Sequence, residues 1–373
     1  MTHKVITRFV RIGVVGLVSG FLCAAWVTKG INVQAQQQDK PVEQTRKNIQ
    51  VLKGLPSSQL FSVMNFMRGS LGVSCAYCHV YIENGNKWEW EKDDKPAKRT
   101  ARQMIQMVHD INKANFNGAQ QVTCYTCHRG AESPAAALPL PQAPPEGGAS
   151  GIKPAVSLPT VDQVLDKYLQ ALGGRASFEK AKTRVMKGEQ FSWDGKSSPI
   201  EIYQQSPNKF LLKLTLPQAV VMGGFNGATA WMKTPRGLRE LSGADLVQAK
   251  RNADFFRLVD LKKLSEKMKV SGKEKIGERE VYVVEAQLAP DMIEKWYFDT
   301  QTGLLLRDQL LTDTIIFWVP EQLDYDDYRD VDGVKMPFTI RQSYVDPWVG
   351  WTRKFSEIKT NVPVDESQFN MPQ

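Results

Sequence analysis

SCAYCHV (residues 74–80) and TCYTCHR (residues 123–129) share one pattern: two cysteines two residues apart, with a histidine directly after the second. Three chemistries use cysteines at this spacing. A zinc site of four cysteines does not need a histidine after each pair, and 45 residues separate Cys78 from Cys124. A disulfide within each pair also leaves both histidines without a role. In the third, each thiol adds to a vinyl group on one edge of a haem and the next histidine reaches the iron, so Cys-x-x-Cys-His reads as c-type haem attachment. The two copies therefore predict two covalently attached c-type haems, one on Cys75 and Cys78 with His79, the other on Cys124 and Cys127 with His128.

The N-terminal stretch agrees with that chemistry, because c-type haem is attached on the outer side of the membrane. Lys4, Arg8 and Arg11 precede an apolar run from Ile12 to about Val27, and VQA at 33–35 offers small residues at cleavage spacing. Residues 1–35 read as a secretory signal peptide or a retained signal-anchor. Leu22 stands before Cys23, where a lipoprotein signal needs a small residue. The expected location is the periplasm, free or held to the inner membrane by this segment.

The chain has 373 residues, 42% apolar and 24% charged, which suits two globular domains. The formal charge of +8 shrinks once 1–35 is set aside, leaving 44 basic residues against 40 acidic. No Lys/Arg-rich stripe remains, which argues against a nucleic-acid partner.

Residues 36–133 hold four of the five cysteines and read as a mainly α domain. Residues 134–159 contain seven prolines among Gly and Ala, an extended linker. Residues 160–373 contain neither cysteine nor histidine, so the haem chemistry belongs to the first domain. Ser57 or Ser58 is placed to cap a first helix, with Leu60, Val63, Met64 and Met67 on one face. A second helix is expected at about 98–113, with Ala101, Met104, Met107, Val108 and Ile111 inward. Each helix leads through a turn into one Cys-x-x-Cys-His. In the last region TVDQ (160–163) is a capping box, Val161, Val164, Leu165, Tyr168 and Leu172 form a buried face, and Gly173-Gly174 stops the helix. Strand and hairpin patterns follow, including Asp194-Gly195, with one helix at about 243–256. The expected fold there is α+β, with a large, curved antiparallel sheet.

Each iron needs a sixth ligand or an open position. Of four histidines, His3 lies in the signal and His79 and His128 are proximal ligands, so only His109 is spare. His109 lies off the Met-bearing face and reads as exposed. Methionine is the natural alternative, a soft ligand that raises the potential. The candidates are Met64 or Met67 for the first haem and Met104 or Met107 for the second; in each pair the other methionine packs the core. Tyr77, Trp88 and Trp90 are candidates to pack on haem edges.

VMNFMRGSLGVSCAYCH (63–79) and KRTARQMIQMVHDINKANFNGAQQVTCYTCHRG (98–130) resemble the photosynthetic reaction-centre cytochrome c subunit family, over about 48–130. In that family an axial methionine sits on the helix before each motif. The resemblance implies Met64 for the first haem and Met104 for the second. The family's reaction-centre members carry four haems and a further histidine late in this stretch. Here there are two motifs, and NKANFNG (112–118) has no histidine. DKYLQALGG (166–174), YFDTQTGLLLR (297–307) and DGVKMPFTIR (332–341) more loosely resemble the curved half-barrels of periplasmic lipoprotein-carrier and lipoprotein-sorting proteins. That likeness implies an apolar ligand such as a lipid or quinone, or else a partner-docking module.

The leading expectation is a periplasmic dihaem cytochrome that carries single electrons and is not an enzyme. Its partners would be redox proteins, a membrane-bound electron-transfer or reaction-centre complex among them. Two alternatives differ in kind. A dihaem peroxidase would need one open iron. A binding protein would hold an apolar ligand in the half-barrel, with the haems sensing or reducing it.

Overall fold

The computed structural model describes residues 39–83, 87–134 and 157–372. The expected signal at 1–35 and nearly all of the expected linker at 134–159 lie outside them.

In the first region α1 (Val42–Thr45) precedes a 3-10 turn, Ser57–Gln59, that runs directly into α2 (Leu60–Leu71). The serines do not cap α2. Gln59 stands before it without a side-chain cap, while the backbone N–H of Ser58 donates to Asp39 at 3.2 Å. The turn tightens the entry, so the capping residues fall one turn early. Gly72, at φ +66°, ends α2 in the left-handed conformation that glycine adopts without a Cβ penalty. Next come α3 (Cys75–Cys78), a hairpin of β1 (Val80–Ile82) and β2 (Lys87–Glu89), then α4 (Pro96–Asn115) and α5 (Cys124–His128). Pro96 opens α4, where its missing N–H costs nothing.

The inward face of α4 differs from the one expected. Ile105, Val108 and Asn112 are buried, whereas Met104 and Met107 are 38% and 41% exposed. The face is set by the i, i+3, i+7 row, and a polar residue, Asn112, completes it because it has backbone partners to satisfy.

In the second region α6 (Val161–Ala171) starts on the expected capping box: Thr160 Oγ1 accepts from Gln163 N at 3.2 Å, and Gln163 Oε1 accepts from Thr160 N at 2.9 Å. Gly173 and Gly174, both at positive φ, stop it. The short α7 (Arg175–Glu179) leads into the sheet. Its strands are β3 (Thr183–Ser192), β4 (Ser197–Gln205), β5 (Lys209–Leu216), β6 (Ala219–Phe225), β7 (Ala230–Thr234) and β8 (Gly237–Glu240), then, after α8 (Gly243–Ala253), β9 (Met268–Ile276), β10 (Arg279–Ala289), β11 (Met292–Asp299), β12 (Leu305–Asp313), β13 (Trp318–Val331), β14 (Val334–Tyr344) and β15 (Trp351–Thr360). These form one antiparallel sheet of 13 strands in the order β8-β7-β6-β5-β4-β3-β15-β14-β13-β12-β11-β10-β9. Neighbours in sequence pair as hairpins, and one non-local pairing, β3 with β15, joins the two halves.

The sheet curls. Leu246 and Ala249 of α8 pack on Phe225 of β6, yet Arg251 of the same helix reaches Glu294 of β11 at 2.8 Å. Seven strands lie between β6 and β11, so a flat sheet would hold them about 40 Å apart at the usual strand spacing. Inside the curl, Leu165 and Tyr168 of α6 pack with Trp296, Phe298 and Leu305.

The cysteine-bearing region shares a core with the sheet. Val42, Leu52, Leu55, Val63, Phe66 and Ile105 cluster with Ile316 and Phe317 of the β12–β13 connection and Val319 of β13. The rings of Phe66 and Phe317 stack at 3.7 Å. Arg68 of α2 pairs with the fully buried Asp346 at 2.6 Å. A Cβ on Gly69 would overlap the carbonyl oxygen of Val345, so α2 lies directly against the β14–β15 connection.

Candidate functional site

Each motif occupies a single helical turn, which places its two cysteines at i and i+3, on one side. In the first, Ser74 is extended, Cys75–Cys78 form α3, and His79 N donates to Cys75 O at 2.9 Å. In the second, Thr123 caps α5 with Thr126 reciprocating, and Arg129 leaves the helix at φ +51°. All four cysteines are free thiols, and among the described residues no three of His, Cys, Asp and Glu come together as a metal-holding group. The two pairs therefore do not converge on one zinc, and neither pair is closed as a disulfide. Burial pushes the Cys78 and Cys124 thiols up.

Both histidines are oriented in the same way. His79 Nδ1 lies 3.2 Å from the carbonyl oxygen of Trp90, and His128 Nδ1 lies 3.1 Å from that of Ala131. A carbonyl only accepts, so each bond places the proton on Nδ1 and leaves the Nε2 lone pair free for a metal. Burial, reinforced by Lys98, holds the His79 pKa below its ordinary value, which favours the neutral, ligating form. Lys98 Nζ donates to the same Trp90 carbonyl at 2.8 Å. The Trp90 ring meets His79 edge-on at 5.1 Å and stacks on Trp88 at 4.5 Å. Tyr77 donates to Glu132.

The motifs interlock. Gly130 N, just past the second, donates to Ser70 O of α2 at 2.8 Å, and a Cβ on Gly72, just before the first, would overlap the Gly130 carbonyl oxygen. Asn112, which the sequence reading passed over, holds the chain entering α5: its Nδ2 donates to Val122 O at 2.8 Å and its Oδ1 accepts from Val122 N at 2.9 Å. The available signal was an amide on the apolar row of a helix.

Met64 and Met67 are half-buried against the shared core. Met104 and Met107 lie on the more exposed side of α4. His109 is exposed, as expected. The donor set fits c-type haem: paired free thiols on one side of a turn, a histidine presenting Nε2, and thioethers on the helices that precede each motif.

The sequence model for the photosynthetic reaction centre cytochrome C subunit matches residues 23–154. Cytochrome c-554 of Chloroflexus aurantiacus is 37% identical over 91 residues, 22% of this chain and 20% of that protein. The photosynthetic reaction center cytochrome c subunit of Thermochromatium tepidum is 38% identical over 122 residues, 29% of this chain and 26% of that protein. The matched part thus spans about a quarter or less of these relatives. Over the sheet region, a LolA superfamily protein of Nitrosomonas europaea has a TM-score of 0.39 at 11% identity, covering 56% of this chain and 97% of that one. A DUF1329 family protein of Desulfovibrio piger has a TM-score of 0.41 at 12% identity, covering 57% and 98%.

Proposed function

We propose that this chain is an exported dihaem c-type cytochrome that passes single electrons between redox proteins. Cys75 and Cys78 would hold the first haem, with His79 and Met64 as axial ligands; Cys124 and Cys127 would hold the second, with His128 and Met104. The observation that carries this reading is the matched anchoring of His79 and His128, each with Nδ1 on a backbone carbonyl, the arrangement that leaves Nε2 unprotonated for a metal. Two unrelated surface histidines would not be expected to share that arrangement directly after paired free thiols. The likeness of 23–154 to reaction-centre cytochrome subunits supports the same chemistry.

Bound there, each haem supplies a one-electron iron couple, and the protein sets its potential and separation. The chain's own residues do the positioning. Trp90 and Ala131 fix the imidazoles, Asn112 fixes the entry to α5, and the Gly72–Gly130 contact fixes one motif against the other. The partners are redox proteins, including membrane-bound electron-transfer complexes, met in the periplasm.

The test is a denaturing intact mass of protein made with c-type haem maturation, together with its visible spectrum. Two covalent haems, both low-spin, are expected. Met64→Ala and Met104→Ala should each convert one haem to high-spin. A haem-free mass would end the reading, and a high-spin iron in the unaltered protein would move it to the peroxidase-like alternative.

A further inference from the structure

The curled sheet and the helices packed on it line an open cavity of about 980 Å³, at the upper end of small-molecule sites. Its walls include Met186, Ile202, Leu212, Leu323 and Phe355, so most of the lining is apolar. We propose that this cavity binds a monoanionic amphiphile, a long-chain carboxylate, with Arg184 of β3 as its counter-charge.

The arginines that line the cavity are treated differently by the fold. Arg257 is neutralised by Glu294 at 2.6 Å and Asp308 at 2.7 Å, and Arg251 shares Glu294 at 2.8 Å. Arg184 is only 7% exposed and has no carboxylate within ion-pair distance among the described residues. Its Nη1 donates to Gln204 Oε1 at 2.9 Å, and its Nε is buried without any acceptor. Phe255 lies 4.4 Å and Phe178 5.1 Å from the guanidinium carbon, which fixes its plane. Burial lowers its pKa to about 10, so it stays charged at neutral pH.

A buried guanidinium without a counter-ion is unfavourable, and a carboxylate forms a strong charge-assisted pair with it. A neutral ligand would leave the charge uncompensated. The apolar walls beyond Arg184 suit a hydrocarbon chain. Phe61, Ser62 and Asn65 of α2 also line the cavity, so the helix that carries Met64 forms part of its wall. Arg353 of β15 lines it too, also without a carboxylate partner among the described residues, but its Nε donates to Gln190 Oε1 at 2.9 Å and its guanidinium lies on Trp351 at 3.7 Å. β15 pairs Arg353 with Gln190 and Thr360 with Arg184, so the two cations stand near opposite ends of the paired strands.

The test is calorimetric titration of the full chain, stripped of co-purified lipid, with dodecanoate and with dodecanol below their aggregation limits. Dodecanoate should bind at one site, about tenfold more tightly than dodecanol, as a charge-assisted pair implies. Arg184→Gln should abolish that preference while leaving dodecanol binding, and Arg184→Lys should retain it. No dodecanoate binding, or equal binding of the two ligands to the unaltered chain, overturns the proposal. So does a preference that survives Arg184→Gln or is removed instead by Arg353→Gln. If Arg184→Gln does not fold, the unaltered chain and Arg184→Lys decide, and a preference lost in a folded Arg184→Lys also counts against it. The readout is binding alone, so it is independent of the haem assignment.

Discussion

Replacing Phe317 by alanine tests whether the cysteine-bearing region depends on the sheet for its core. Phe317 is fully buried and stacks on Phe66 at 3.7 Å with a 22° interplanar angle. Deleting the ring removes its transfer free energy and leaves a cavity, together about 3–5 kcal/mol for a buried phenylalanine. Loss of the stacked partner moves the expectation toward the upper half of that range, about 4 kcal/mol, since aromatic pairs contribute about 0.5–1.5 kcal/mol beyond their area. The site cannot collapse easily, because Phe66 and Val63 sit on α2, which Arg68 and Gly69 hold against the β14–β15 connection. The assay is denaturant unfolding combined with hydrogen exchange of the α2 amides. The midpoint should fall and α2 protection should fall with it, because Val63, Phe66 and Phe317 belong to one cluster. A loss below about 1 kcal/mol, or an unchanged α2 in a destabilised sheet, would refute the shared core.

Asp346→Ala leaves Arg68, 18% exposed, without its counter-ion and removes the acceptor of Trp348 N at 3.0 Å. A loss of about 3 kcal/mol is expected in thermal unfolding, and a change near zero would mean that water already serves Arg68. Gly72→Ala combines a left-handed backbone with an overlap on the Gly130 carbonyl. It should cost about 1–3 kcal/mol and lower the yield of haem-loaded protein, and normal yield and stability would contradict the interlocked motifs. Arg102 donates to both oxygens of Asp93, at 2.8 and 2.9 Å, and holds that carboxyl well below its usual 3.8. A depressed acid contributes stability above its unfolded pKa and loses it as pH falls through the folded value. Asp93→Asn should therefore lower the melting temperature at pH 6, with the gap to the unaltered protein narrowing below pH 4; a gap constant with pH would show that the bridge is not the cause.

The paired Cys-x-x-Cys-His turns were legible because their information is local. Cys-x-x-Cys-His spacing, the Thr160–Gln163 capping box, the Gly173-Gly174 stop and the Asp194-Gly195 hairpin each reside in a few adjacent residues, and local geometry sets them whatever the rest of the chain does. Alternating strands likewise announced an antiparallel sheet. Burial was less legible, since it depends on what arrives from far along the chain. Periodicity alone put Met104 and Met107 inward on α4, but Asn112 took the covered face by bonding both backbone groups of Val122. Arg68 meets Asp346 278 residues away, and Phe66 meets Phe317. No composition or periodicity marks such pairs, because each partner alone reads as an ordinary charge or an ordinary ring. The same holds for the unpaired Arg184: only the curl of the sheet, which brings α8 and β11 together, gives Arg257 its two carboxylates and leaves Arg184 with none. Sequence by itself thus determined the local turns, caps and stops and the two Cys-x-x-Cys-His patterns. The tertiary structure decided which faces are covered, which charges are compensated and where a cavity remains, because those properties belong to surfaces assembled from distant segments.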